Sequence, residues 1–409
     1  MNRVLMIAFQ FPPVSGTSGV QRTLRFVRYL PAFGWQPVVL TAHPRAYKFV
    51  SDDQLGDVPD DVEVIRAPAW DAGRHLSLAG RYPRFLANPD RFVSWWPGAV
   101  WQGLRAIRQS RFDAIWSTYP IPTAHMIGAS LAKRSGLPWI ADFRDPMAQD
   151  DYPVDLKKRE RFARIEQDVV DHARFSTFTT PGALAMYRER YPQHAAAMQL
   201  LENGYDEETF DGAQDTGPLV AGRLTLLHSG VVYPVERDPT RFFEAVGELK
   251  HSDPDLYARL NVRFRAPFND DMLRDLSARC GVEDVIEILP PIDYRDALQE
   301  MCSADALLVL QAANCNSQIP AKLYEYLRAR RPLLVLTDPD GDTATATRAA
   351  GVDAIAKLDD KGDILALLRR FLQHPNAGTL PTDAAIAAAS RRERTHELAQ
   401  LLDRALKVG

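Results

Sequence analysis

Short apolar runs alternate with amphipathic stretches along most of the chain. Residues 4–9 read Val-Leu-Met-Ile-Ala-Phe without a polar break, as expected of a strand covered on both faces. A Pro/Gly/Ser loop through Gly16 and Gly19 follows, then an amphipathic stretch over 20–30 and an apolar run over 37–41. Strand, glycine loop, helix and strand predict a βαβ unit, and so a parallel sheet. The alternation continues with predicted strands over 112–117, 138–142 and 175–179, and helices over 123–135 and 156–172. It restarts with a strand over 224–228 and a helix over 239–250. Strands over 261–265, 285–289, 306–310 and 333–336 come next, the last behind a helix over 321–329.

Two successive α/β halves predict two Rossmann-like domains. The chain's 409 residues exceed one typical domain. Asn-Gly, Asp-Gly and Thr-Gly-Pro punctuate a polar stretch over 201–225, which marks the join. The expected domains are 1–200 and 201–383, followed by an Ala- and Arg-rich helical segment over 384–409.

Composition narrows the setting. The net charge is −4, but residues 1–200 carry 25 Lys+Arg against 19 Asp+Glu, and the remainder 24 against 34. The split is either ordinary surface solvation or a basic first half that meets an anionic partner. Cys280, Cys302 and Cys315 fit no zinc spacing, and an odd count argues against a disulfide framework. A reducing cytoplasm is the expectation. No run reaches the roughly 20 apolar residues of a membrane span, and residues 4–9 are too short for a signal-peptide core. The chain is expected to be soluble, or at most peripheral on a membrane.

The first glycine loop raises a dinucleotide site and fails its test. It reads Gly-Thr-Ser-Gly over 16–19, and the second strand ends Leu-Thr-Ala-His at His43 without a carboxylate. What remains is either a tight connection or a loop at a helix N-terminus suited to a phosphate or a sugar. Arg22, Arg25 and Arg28 follow at spacing three, and at least two are expected on a solvated face. Residues 228–239 end a strand at Ser229-Gly230 and then offer Arg237, either for a phosphate or for a surface pair with Glu236 or Asp238. On the 321–329 helix, Leu323, Tyr326 and Leu327 share one side, and Lys322 and Glu325 lie together away from Leu323 and Leu327. Pro320 suits the first helical turn. Backbone donors behind the polar 314–318 stretch, with Lys322, would hold a diphosphate. Glu325 would instead accept two hydroxyls of a ribose. The plain alternative is a Lys–Glu surface pair worth a few tenths of a kcal/mol.

Asp142, Arg144 and Asp145 fall just past a predicted strand end and read as acceptor-side or structural. His125, after Pro122, is either an ordinary helix histidine or a catalytic one. Asp150-Asp151 is the one tempting acidic pair for a metal, with a solvated turn as the alternative, and no metal is expected. Trp95, Trp96 and Trp101 are either a satellite core or a platform for an acceptor or a membrane interface.

The ordered motifs resemble those of the family-4 retaining glycosyltransferases, nearly end to end. They are Phe11-Pro-Pro13 with the 16–19 loop, Ala141-Asp-Phe-Arg-Asp-Pro146, and Glu202-Asn-Gly-Tyr-Asp206. His228-Ser-Gly230, Ile319-Pro-Ala-Lys-Leu-Tyr-Glu-Tyr326, Arg331-Pro332 and Gly341-Asp-Thr343 complete the set. The resemblance implies the GT-B fold: two Rossmann-like domains facing across a cleft, with a C-terminal helix crossing back to the first. It implies a nucleotide-diphosphate sugar, of UDP or GDP type, held mainly by the second domain, and no further cofactor. The acceptor, a glycan, a lipid-linked or a small molecule, would sit on the first. No nucleic acid is expected.

The donor set carried over is Gly16, Gly19, Gly230, Ile292, Ser317, Gln318, Lys322 and Glu325, with Arg237 and Lys322 stabilising the leaving diphosphate. Two positions depart from the family pattern. Val232 stands where a clamp arginine is usual, and Ser317 where the first of two glutamates is usual. Lys322 would replace the missing cation. The implied reaction proceeds with retention, the leaving phosphate taking the acceptor's proton, in glycan or glycoconjugate biosynthesis. The rivals are a nucleotide-sugar epimerase of the same architecture and a non-catalytic nucleotide-sugar binding protein.

Overall fold

The structure, a computed structural model, describes residues 1–15, 19–52, 54–78, 81–149 and 152–407. The chain divides into two compact units, Met1–Asn203 together with the chain from Arg391 onward, and Gly204–Ser390.

The first unit is built on a seven-stranded sheet in the order β3-β2-β1-β4-β5-β6-β7. Its strands are β1 (Asn2–Ile7), β2 (Trp35–Ala42), β3 (Glu63–Ala67), β4 (Ala114–Thr118), β5 (Trp139–Arg144), β6 (Phe175–Phe178) and β7 (Met198–Leu200). All neighbours are parallel, and Leu5 pairs with Val38 on one side and Ile115 on the other. Helices α1 (Gly19–Tyr29), α2 (Trp95–Gln109), α3 (Pro122–Ser135), α4 (Leu156–His172) and α5 (Pro181–Arg190) cover it. Two apolar clusters result. Leu5, Ile7 and Leu40 lie in one, and Val4, Met6 and Val39 in the other. Adjacent residues of a strand point to opposite faces, and both faces are buried. This is why the strands read as unbroken apolar runs.

The second unit holds a parallel six-stranded sheet in the order β10-β9-β8-β11-β12-β13. These are β8 (Leu224–Ser229), β9 (Leu260–Arg265), β10 (Ile286–Leu289), β11 (Ala306–Gln311), β12 (Leu333–Thr337) and β13 (Ile355–Ala356). Helices α6 (Lys322–Ala329) and α7 (Asp342–Ala349) flank the ends of β11 and β12. In both sheets the strand order reverses beside the first strand, between β1 and β4 and between β8 and β11. Crevices at the carboxyl ends of such switch points are where ligands bind in open α/β sheets.

The chain returns to the first unit at Arg391. The short helix Asp383–Ala388 stays with the second unit, where Ile386 joins the core. The last helix, α8 (Arg391–Lys407), packs on α1 with Leu398 and Leu402 buried. The Trp35 indole N–H donates to Asp403 at 2.9 Å.

Candidate functional site

β8 carries apolar residues to His228 and Ser229, and Gly230 then turns the chain with φ +113°. That left-handed conformation favours glycine. Space adds a second reason, because a Cβ at Gly230 would lie 2.9 Å from Lys322 Nζ. Lys322 opens α6 and Pro320 precedes it in the approaching turn. Leu323, Tyr324, Tyr326 and Leu327 bury the opposite side of the helix. The helix stops at Arg330, which is left-handed at φ 56°, and Pro332 leads into β12.

The Lys322 amine is held from beneath by His228. Its Nζ is 3.2 Å from His228 Nε2, and His228 Nδ1 is 2.9 Å from the Leu308 carbonyl. A carbonyl only accepts, so Nδ1 carries the ring hydrogen and Nε2 accepts from the amine. Burial holds His228 well below its ordinary pKa, and the positive charges of Lys322 and Arg237 push it the same way. The imidazole is therefore neutral. Burial also holds the Lys322 amine well below its ordinary value, aided by Arg237 and opposed by Glu325.

Arg237 reaches the same turn. It donates to the Val231 carbonyl at 2.6 Å and stacks over Tyr233 at 5.1 Å. Among the described residues neither Lys322 nor Arg237 forms an ion pair. Two cations meet at the end of β8 without a carboxylate of their own, so an anion placed there would relieve their mutual repulsion.

Glu325 lies one turn further along α6 and accepts from the Tyr294 hydroxyl at 2.7 Å. This bond brings the loop after β10 to α6. Ile292 stands exposed in that loop. Ser317 is half-buried and Gln318 exposed. The Gln318 carbonyl accepts from Thr343 Oγ1 at 3.0 Å, and the Asn316 carbonyl from the Asp342 N–H at 2.8 Å. The polar stretch before α6 is thus pinned to the start of α7. Val232, where the resemblance expects a cation, is fully buried in the core and supplies none. Tyr326 does more than pack. Its hydroxyl accepts the Ser229 N–H at 2.8 Å, a role hidden behind its place on the apolar side of the helix.

In the first unit the expectations need correction. Arg22 and Arg25 are not on a solvated face: each is 3% exposed. Arg22 makes two 2.9 Å bonds to Asp142 and also donates to the Leu201 and Glu202 carbonyls. Asp142 is wholly buried and also accepts from Thr118 and Thr177. Burial alone would raise its pKa, yet Arg22, the charge of Arg144 and the Thr177 hydroxyl hold it below the ordinary carboxylate range. Asp142 ties α1, β4, β5 and β6 together. His125 is wholly buried beside Ser117 and Phe143.

Arg144 has φ 61°, and its carbonyl accepts the N–H and hydroxyl of Thr179. Its guanidinium reaches towards the Tyr119 carbonyl and Gly19, where a Cβ would collide with the Gln10 side chain. Asp145 is exposed beside it. Arg144, Gly19, Gln10 and Tyr119 line a small pocket at the carboxyl ends of β1, β4 and β5. Trp95 is core, Trp96 donates to Ser130 at 3.0 Å, and Trp101 is 62% exposed over Arg105. Gly16 and the Asp150-Asp151 pair lie outside the described residues. Among the described residues no group of three His, Cys, Asp or Glu could hold a metal, and no helix is long and apolar enough to cross a membrane.

This architecture is that of the GT-B glycosyltransferases. Residues 18–204 match the family model described as a glycosyl transferase 4-like domain, in line with the resemblance to family 4 read from the motifs in that part of the chain. No curated protein matches the chain. Solved structures do. A trehalose-phosphate synthase from Burkholderia xenovorans, in complex with glucose-6-phosphate, superposes with TM-score 0.70 at 12% identity over 98% of this chain and all of its own. Anabaena Alr3699/HepE in complex with UDP gives 0.62 at 12% identity over 100% and 98%. A sucrose-phosphate synthase from Thermosynechococcus elongatus gives 0.59 at 14% identity over 100% and 98%. At such identities these likenesses speak for the fold.

Proposed function

We propose that the chain transfers a sugar from a nucleotide-diphosphate sugar to a hydroxyl acceptor with retention of anomeric configuration. The observation that carries this reading is the meeting of Lys322 and Arg237, neither in an ion pair among the described residues, over Gly230 at the switch point of the second sheet. A diphosphate supplies the missing negative charge, and Gly230 lets it approach the backbone. Glu325, oriented by Tyr294, accepts the ribose hydroxyls. Ser317, Gln318 and Ile292 border the donor. The Anabaena relative, solved with UDP, supports a donor of this class.

In the reaction the acceptor oxygen bonds to the anomeric carbon as the bond to the β-phosphate oxygen breaks. The bonding pair leaves with the nucleotide diphosphate, whose phosphate oxygen takes the acceptor's proton. Lys322 and Arg237 stabilise the charge that develops on the leaving oxygen. This chemistry requires neither a side-chain base nor a metal. Arg144 and Asp145 are the acceptor-side groups, and His125 and Asp142 support them from below. The acceptor is a sugar-bearing molecule of glycan or glycoconjugate biosynthesis. The setting is the cytoplasm, with at most peripheral membrane contact, in keeping with three free cysteines.

A second reading, nucleotide-sugar binding without turnover, is favoured by one observation: Val232 is buried where a cation is expected. Incubation with UDP-glucose and GDP-mannose and a panel of glycosides, followed by proton NMR of the anomeric signals, separates the two. An α-linked product from these α-donors supports retaining transfer. A β-linked product contradicts retention, and binding without product supports the second reading.

A further inference from the structure

The first unit has a second polar cavity that the transfer reaction does not use. It has a volume of about 270 Å³ and is walled by α2, α3 and α4. Arg134, Arg161 and Arg164 border it, together with Lys133 and a single carboxylate, Asp168. Lys133 and Asp168 pair at 2.5 Å and cancel. Arg164 reaches Glu160 only at 3.9 Å with both side chains exposed, a weak pair. Arg134 donates to the Ser130 carbonyl. Arg161 is half-buried and forms no ion pair among the described residues. The wall is therefore cationic without internal compensation.

The independent sign of a ligand is His125, which lines the same cavity and is wholly buried. Its Nδ1 is 2.8 Å from Ser117 Oγ, which also receives the Trp139 indole N–H at 2.9 Å. The indole can only donate, and the serine oxygen can take that bond and still either donate to Nδ1 or accept from it. The ring's other nitrogen is Nε2. That nitrogen is buried and has no hydrogen-bond partner. Burial pushes the ring's pKa down to about 4, so at neutral pH it is uncharged. Buried polar atoms are rarely left unpaired, and this one belongs to a residue of the cavity wall.

We infer that this cavity binds a small phosphate monoester, with its phosphate among Arg134, Arg161 and Arg164, beside the wall that holds His125. Guanidinium groups match phosphate oxygens bidentately. The volume lies at the lower edge of ordinary ligand pockets, about 300–1,000 Å³, which suits a phosphate on one small polar body. The Trp96 indole, fixed to Ser130, offers that body a face.

The test is titration of the full chain with glycerol 3-phosphate, with inorganic phosphate alongside, read by calorimetry and by ¹⁵N NMR of the histidine rings. Sedimentation with phosphatidylglycerol vesicles is run in parallel to separate a lipid headgroup from a free phosphate. The inference predicts saturable binding that moves the His125 Nε2 resonance. It also predicts affinity reduced roughly tenfold or more in the double variant Arg161→Gln, Arg164→Gln, with melting temperature unchanged. Non-saturable titration, a still His125 resonance, or undiminished affinity in the double variant overturns it. Vesicle binding without glycerol 3-phosphate binding overturns it too. The His125 resonance is read in the unaltered chain, so it decides the matter even if the variant folds poorly.

Discussion

Lys322 donates from its amine to the lone pair of His228 Nε2, 3.2 Å away, and His228 is fixed in that tautomer by the Leu308 carbonyl. A neutral imidazole thus anchors a cation that burial and Arg237 both disfavour. The amine is held in place before any anion arrives, and the anion's charge is what the amine lacks.

Lys322→Ala is therefore expected to lower kcat by roughly 10²–10³, the usual loss for one donor to a developing negative charge. The melting temperature should stay level or rise, since a disfavoured buried cation is removed. Steady-state kinetics and thermal melts check both. A proton signature accompanies this. The free amine's pKa is depressed and a bound diphosphate raises it, so between the two values binding takes up a proton and affinity falls as pH rises. Calorimetry of UDP binding in two buffers of different ionisation enthalpy should show that uptake, and Lys322→Ala should abolish it.

Asp142→Ala is expected to cost about 3–5 kcal/mol, the penalty for stranding one member of a buried ion pair. Arg22 would keep its bonds to the Leu201 and Glu202 carbonyls but lose the charge beneath it. Urea unfolding followed by the tryptophans, all of which lie in the first unit, reports the change. A loss below about 1 kcal/mol would mean that the pair behaves as a surface salt bridge.

His125 sets an acid limit on the first unit. Its folded pKa is about 4, against 6.5 for a free histidine. As pH falls below 6.5 the unfolded chain takes up the proton and the folded chain does not. Stability drains away until about pH 4, where the loss levels off at roughly 3 kcal/mol. Unfolding free energies from pH 7 to 4 should show this slope in the native chain. His125→Asn, which does not titrate, should show less of it.

The strands were legible because they are buried on both faces, which leaves no polar interruption at Val4–Ile7 or Leu307–Leu310. Lys322 and Glu325 were legible from the helical wheel and Gly230 from its place after a strand, because these signals are local. What was not legible comes from distant pairings. Arg22 looked like one of three solvated arginines, and the carboxylate that buries it is 120 residues away. His228 finds Leu308 and Lys322 at separations of 80 and 94 residues, and Tyr294 meets Glu325 across 31. No periodicity carries such information.

Thermal stabilisation of the full chain by UDP and by GDP, in the native protein and in Glu325→Ala, tests the central claim most directly. Glu325 is expected to contribute roughly 1–3 kcal/mol through charge-assisted hydrogen bonds to the ribose. A nucleotide diphosphate at a hundred times its Kd should stabilise the native fold by about 2.7 kcal/mol, and Glu325→Ala should lose most of that at the same concentration. Stabilisation that survives Glu325→Ala, or none with either nucleotide, would contradict the account.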